Sequence, residues 1–445
     1  MAIADRLTGR YDAAGTYPIF SVWEGGFVES IRNNLKDILQ DKVFHELLKK
    51  VAEWVLREGT SSISTRGSGS AVDKARLRED FDKYLTGVSS EPPLRDSPSH
   101  SGRVTKAAEP DEEDLALKIE AELESDPTFQ GTITGLLVAD GRVDSSAITK
   151  GLGNVQPLEV SVLVDEAALN AMHPRVAGQT RGGIVWLKVA KFVAKVVLAV
   201  IRRFAHHRDH GSYTTTVEEV LRAAYLTKAG EIIWRQMKKD TADALAPETE
   251  CGAGNVVLAT WAELLEAGRG QPRITLVGHS TGAVYINNWI KRSAEIAHGL
   301  VYDVVFLAPA CRAEDFADVL RDHGPRIRGF RTFGMQDGVE QQDRLVSVIY
   351  PRSLLYFVSG VVEGDADVPI LGMHRYITER QVFDATGFPK LEAARTFLAS
   401  GAKSRAVWSI VEGGIGLSSA AVAHGDFDDD IKTLDSLSSI LTAGY

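Results

Sequence analysis

The pentapeptide Gly278-His279-Ser280-Thr281-Gly282 constrains this chain more than any other feature, because of what flanks it. The run Ile274-Thr275-Leu276-Val277 leads straight into it, and AVYINNWIKRSAEI, apolar at helical spacing, follows. A serine between two glycines at a strand-to-helix junction sits in a sharp, strained turn that exposes its hydroxyl. Side chains at the flanking positions would collide with the strand and helix, so glycine is expected at both. The turn also puts the Thr281 N–H at the start of a helix, where it has no intrahelical partner and can donate to a developing oxyanion.

Around this turn the rhythm is α/β. Helix 256–267, strand 273–277, helix 283–297, strand 302–308, helix 313–321 and strand 329–334 follow in order. That alternation predicts a parallel sheet covered by helices. Val407–Val411 reads as a final strand, and a last helix starts near Ile431, capped by the acidic run Asp426, Asp428, Asp429 and Asp430. At the other end, Ile3, Leu7 and Tyr11 followed by Gly15 predict a capped helix. The aromatic and β-branched run Tyr17–Trp23 then predicts a buried strand entering a turn at Glu24, Gly25 and Gly26. Apolar spacing from Phe27 to Arg57 predicts one or two amphipathic helices.

Between these halves the composition shifts. Residues 58–112 contain GTSSISTRGSGS and SSEPPLRDSPSHSG, too poor in apolar surface to offset the entropy of ordering, and read as a linker or disordered insertion. Charged helices are expected at 72–85 and 112–123. Ile184–Ile201 is the most apolar segment, yet Lys188, Lys191, Lys195 and then Arg202 line one face, which favours a core or cap helix over a membrane span. Contact of residues 184–203 with a membrane surface is the second expectation. With 44% apolar and 25% charged residues the chain reads as a folded, soluble protein, and its net charge of -10 works against nucleic acid as a partner. Two cysteines, Cys251 and Cys311, build neither a disulfide framework nor a thiolate zinc site, so the expected setting is cytoplasmic.

The strand, the elbow Gly278–Gly282 and the helix after it resemble the α/β-hydrolase superfamily, specifically its lipase and esterase branch, over residues 254–445. The resemblance implies a doubly wound, mostly parallel sheet with a large helical cap insertion and a disordered insertion. Residues 1–57 would be the N-terminal part of the core, 58–160 the low-complexity insertion, 161–247 the cap or lid, and 248–445 the catalytic core. It implies Ser280 as nucleophile, the Thr281 N–H as oxyanion donor, and the chain order nucleophile, acid, base. The acid is expected at Asp337, just beyond the strand GFRTFGM and so at the carboxyl edge of the sheet, unless Asp337 merely makes a turn with Gly338. Glu340, Asp343, Asp365 and Asp367 are alternatives. The base is expected at His424, in the loop AVAHGDFDDD, with His374 as its competitor. His279 is expected to point away from the chemistry, and His206, His207 and His210 to belong to the cap. His206 and His210 have the i, i+4 spacing of a metal pair but no glutamate between them, and Arg208 is repulsive, so no metal and no cofactor is expected.

The family begins its catalytic half with a His-Gly oxyanion loop, and no such pair precedes a helix here. The chain thus reads as starting inside the fold, with a strand and one oxyanion donor missing, or else Gly25 and Gly26 form that loop. The expected function is hydrolysis of carboxylic esters or lipid-like acyl substrates under an apolar cap. The alternative is a non-catalytic binding or scaffold protein that keeps the hydrolase shell.

Overall fold

A computed structural model describes residues 2–21, 26–59, 73–94, 109–144, 162–175, 183–247, 252–270, 272–401 and 404–445. The chain is α/β. A four-stranded parallel sheet runs in the order β1 (Ile274–His279), β2 (Tyr302–Leu307), β3 (Ile327–Met335) and β4 (Ala406–Ser409). Parallel neighbours need a long return, supplied between β1 and β2 by the Gly282–Ile296 helix and between β2 and β3 by the Ala313–His323 helix. β2 is buried along its whole length, which is why it reads as an apolar run. Its one charge, Asp303, is met at 2.7 Å by both Arg273 and Arg328. Between β3 and β4 the chain makes a long excursion whose Pro389–Ala399 helix returns to the Ala313–His323 helix. There Phe330 packs against Phe316 at 5.1 Å and Phe397 at 5.2 Å between ring centroids, and these aromatics close that face of the sheet.

The helical half is built around one long helix. The Trp186–Ala205 helix is packed by Lys42–Glu58, Glu112–Leu123, Glu166–Met172 and Ser212–Ala224. Val189, Val193, Val197, Val200 and Phe204 are buried beneath these neighbours. The lysine stripe faces out, with Lys191 3.8 Å from Glu113, Lys195 4.0 Å from Glu112 and Arg202 2.5 Å from Glu109. Its apolar face is therefore a core face, and its basic stripe is the exposed one. No described helix is long and apolar enough to cross a membrane. The described parts of the stretch 58–160 join the same packing. Helices Lys74–Leu85, Glu112–Leu123 and Pro127–Ala139 send Phe81, Tyr84, Ile119, Leu123, Phe129 and Ile133 into the same core. The low-complexity runs 60–72 and 95–108 lie outside the described residues.

The strand expected at Tyr17–Trp23 is corrected. Residues 17–21 pair with no strand, and Tyr17 is 90% and Ile19 60% exposed, while Val22 to Gly25 lie outside the described residues. The physical reason is local. Gly15, at φ 71°, turns the chain back after the Ala2–Ala13 helix, and Phe20 stacks on Tyr11 of that helix at 6.1 Å. Among the described residues, β1 has one neighbour in the sheet, β2.

Candidate active site

The elbow is set by sterics. Ser280 has φ 55°, a left-handed conformation that costs a non-glycine residue about 1–3 kcal/mol and persists only where its surroundings hold it. Here the Ser280 N–H donates to Leu307 O at 2.9 Å and the Ser280 C=O accepts from Ala310 at 3.1 Å, which ties the turn to the end of β2. The two glycines are not equivalent. A Cβ on Gly278 would lie 2.7 Å from the Gly282 carbonyl and from Ile286, whereas one on Gly282 would meet nothing within 4 Å. Glycine is thus required at 278 alone.

Opposite the serine, the short turn His424–Asp428 is closed by Asp426, whose carboxylate accepts from the Val422 and Ala423 N–H groups at 2.9 Å. This turn delivers His424 Nε2 to 2.9 Å from Ser280 Oγ. The imidazole is buried, and burial together with the neighbouring charge of His279 lowers its pKa to about 3. It is therefore neutral at ordinary pH, with its Nε2 lone pair free to face the serine hydroxyl, and burial makes it a weaker proton acceptor than a free imidazole.

Asp337 does not meet this histidine. His424 Nδ1 is buried and has no hydrogen-bond partner among the described residues. The Asp337–Glu340 helix begins directly after β3 and turns the Asp337 carboxylate toward Tyr356, whose hydroxyl donates at 2.7 Å, and Gln341, whose amide donates at 2.6 Å. Asp343, three residues past Glu340, is the carboxylate that reaches His424, but it does so by accepting the backbone N–H at 2.9 Å. Burial raises its pKa, opposed by that N–H. Glu340 is buried and takes the Ser353 hydroxyl. Burial pushes it up to about 8, helped by the charges of Asp343 and Asp337, so it is largely protonated at neutral pH.

Other candidates fall elsewhere. His374 packs edge-on against Trp408 at 4.9 Å and feels the charge of Asp337. Asp365 is exposed, and Asp367 belongs with His210 and Glu218 to a buried network. His206 caps the Trp186–Ala205 helix by binding Arg202 O at 2.7 Å. No group of His, Cys, Asp and Glu suited to hold a metal ion occurs among the described residues. Thr281 begins the helix after the elbow, and among the described residues no backbone acceptor takes its N–H, which suits an oxyanion donor. Of the proposed second donors, Gly25 lies outside the described residues, and Gly26 precedes the Phe27–Leu39 helix. The segment that stands over the elbow is the Glu231–Asp243 helix, with Met237 Sδ 3.9 Å from Thr281 Oγ1 and Thr241 bonded to Asn288 at 3.0 Å.

His279 is the residue the sequence reading missed. Its ring stacks on His424 at 5.2 Å, and its Nε2 lies 2.9 Å from His424 O. No local sequence signal gives this contact, since its partner is 145 residues away. No protein-family model, no curated protein and no solved structure matches the chain.

Proposed function

We propose that this chain is a serine hydrolase of the α/β-hydrolase type that cleaves carboxylic esters of acyl or lipid-like substrates. The observation that carries this reading is the 2.9 Å approach of a buried imidazole to a serine held at positive φ between strand and helix. Ser280 Oγ attacks the ester carbonyl while its proton passes to His424 Nε2, and the Thr281 N–H stabilises the oxyanion. The ester C–O bond then breaks, and the same proton goes to the departing alcohol. Water, deprotonated by His424, attacks the acyl-enzyme and releases the acid and the free serine. None of these steps draws on a cofactor.

Met237, whose sulfur takes the Thr281 hydroxyl at 3.9 Å, puts an apolar side chain beside the elbow, which supports an acyl substrate over a charged peptide. A cytoplasmic setting is part of the same proposal, resting on the sparse cysteines, of which Cys311 is a buried free thiol.

The second reading, a non-catalytic protein on a hydrolase shell, is favoured by the unpartnered His424 Nδ1. Turnover of p-nitrophenyl esters separates the two. The enzyme reading expects turnover by the wild type and none by a folded Ser280→Ala variant. A folded wild type without turnover supports the scaffold.

A further inference from the structure

The peptide group of His424 is held from both sides. Asp343 Oδ2 accepts its N–H at 2.9 Å, and His279 Nε2 lies 2.9 Å from its C=O. A carbonyl oxygen can only accept, so His279 carries a proton on Nε2 and donates it here. His279 Nδ1 faces Asp428 at 3.9 Å, while Asp343 feels Asp426 and Arg32. The two holders come from different places in the fold. His279 ends β1 and precedes the nucleophile, and Asp343 follows the Asp337–Glu340 helix beyond β3. The parallel sheet brings both strand ends to one edge, where the 424–428 turn lands.

A histidine base needs a fixed ring position, and misplacement of about 1 Å costs on the order of a hundredfold in rate. The usual device is a carboxylate on the second ring nitrogen, which sets both tautomer and orientation. Here that nitrogen has no partner among the described residues, although it is buried. The main chain of the same residue has two.

We propose that His424 is oriented through its main chain, Asp343 and His279 acting as positioning residues that clamp its N–H and C=O in place of a carboxylate on Nδ1. This rests on the serine hydrolase reading above. Asp343 acts as an acceptor for a backbone N–H, so a neutral amide oxygen can replace it. His279 acts as a donor, so a glutamine side chain can replace it. Asp337, bound to Tyr356 and Gln341, has no part in the clamp.

The experiment is ester kinetics and the rate of fluorophosphonate labelling for the full-length protein and five variants, each checked for a cooperative melt. His279→Ala and Asp343→Ala are expected to lower kcat and the labelling rate by about tenfold or more with little change in KM, because they loosen the base and leave the acyl site alone. His279→Gln and Asp343→Asn are expected to recover most of each loss, and Asp337→Asn to match wild type. Folded alanine variants that label at the wild-type rate overturn the clamp. So does a large loss in Asp343→Asn equal to that in Asp343→Ala, since charge and not acceptance would then matter. Loss of labelling in Asp337→Asn overturns it as well. A wild type that does not label at all removes the serine hydrolase reading and the clamp together, whereas a labelled wild type with unaffected variants removes the clamp alone.

Discussion

Burial keeps the His424 imidazole neutral down to about pH 3, and this has two measurable consequences. Activity is the first. With the imidazole unprotonated throughout, kcat/KM should be flat from about pH 8 to about pH 5, with no acid limb near the ordinary histidine value of about 6.5, while the same low basicity holds the rate below that of an imidazole whose pKa lies near the working pH. Stability is the second. Below 6.5 the unfolded chain takes up a proton here that the folded chain refuses until pH falls to about 3. This site therefore makes the fold less stable as pH falls through that window, at up to about 1.4 kcal/mol per pH unit. Glu340 runs the other way. Its carboxyl is raised from 4.5 to about 8, so its contribution is full below pH 4.5 and is lost as pH rises through 8. Urea unfolding near pH 6 and near pH 9 should show Glu340→Gln losing less stability between the two than wild type. An equal loss would mean that Glu340 is not protonated in the fold. Neither shift is legible in the sequence, because both depend on what a loop packs against and not on residue type.

At the scale of elements the elbow was readable because a strand period and a helix period meet at a known serine. The observed β1 and Gly282–Ile296 helix lie within a residue or two of the positions expected for them. The readable signal did not extend to which glycine matters. Gly278→Ala should lower the melting temperature, since its Cβ meets backbone at 2.7 Å and overpacking of this kind costs about 1–3 kcal/mol. Gly282→Ala places its methyl in open space at the first position of a helix, and its melting temperature should equal or exceed that of wild type. Equal losses in the two would contradict the contact. The acid was unreadable for a related reason. Asp337, Glu340 and Asp343 lie within seven residues, and only the turn of the intervening short helix decides that Asp343 reaches His424 while Asp337 turns to Tyr356. The run Tyr17–Trp23 misled because apolar residues that could line a strand serve equally to stack on a neighbouring helix, as Phe20 does on Tyr11.

Across the whole molecule the helical half and the sheet share one core, and composition hid this. Ser- and Gly-rich runs flank helices whose apolar faces are buried, so from composition the stretch 58–160 reads as a low-complexity insertion. A buried ionic network adds to the join. Arg203 reaches Glu218 at 2.5 Å, and His210 lies between Glu218 at 2.8 Å and Asp367 at 3.0 Å, tying the Trp186–Ala205 helix to the excursion before β4. Burial alone would raise Glu218, but the charges of His210 and Arg203 outweigh it and hold the carboxyl down to about 2. Deleting residues 183–204 should therefore abolish the cooperative melting transition together with all ester turnover. A truncated protein that still melts cooperatively and works on short esters would restore the helix to the role of a lid. The central claim, that Ser280 is a nucleophile activated by His424, is tested most directly by mapping a fluorophosphonate adduct on the intact protein by peptide mass spectrometry. The account predicts one adduct, on the peptide containing Ser280, formed by the wild type and not by the folded Ser280→Ala or His424→Ala variants. An adduct on another residue, or equal labelling of the Ser280→Ala variant, would contradict it.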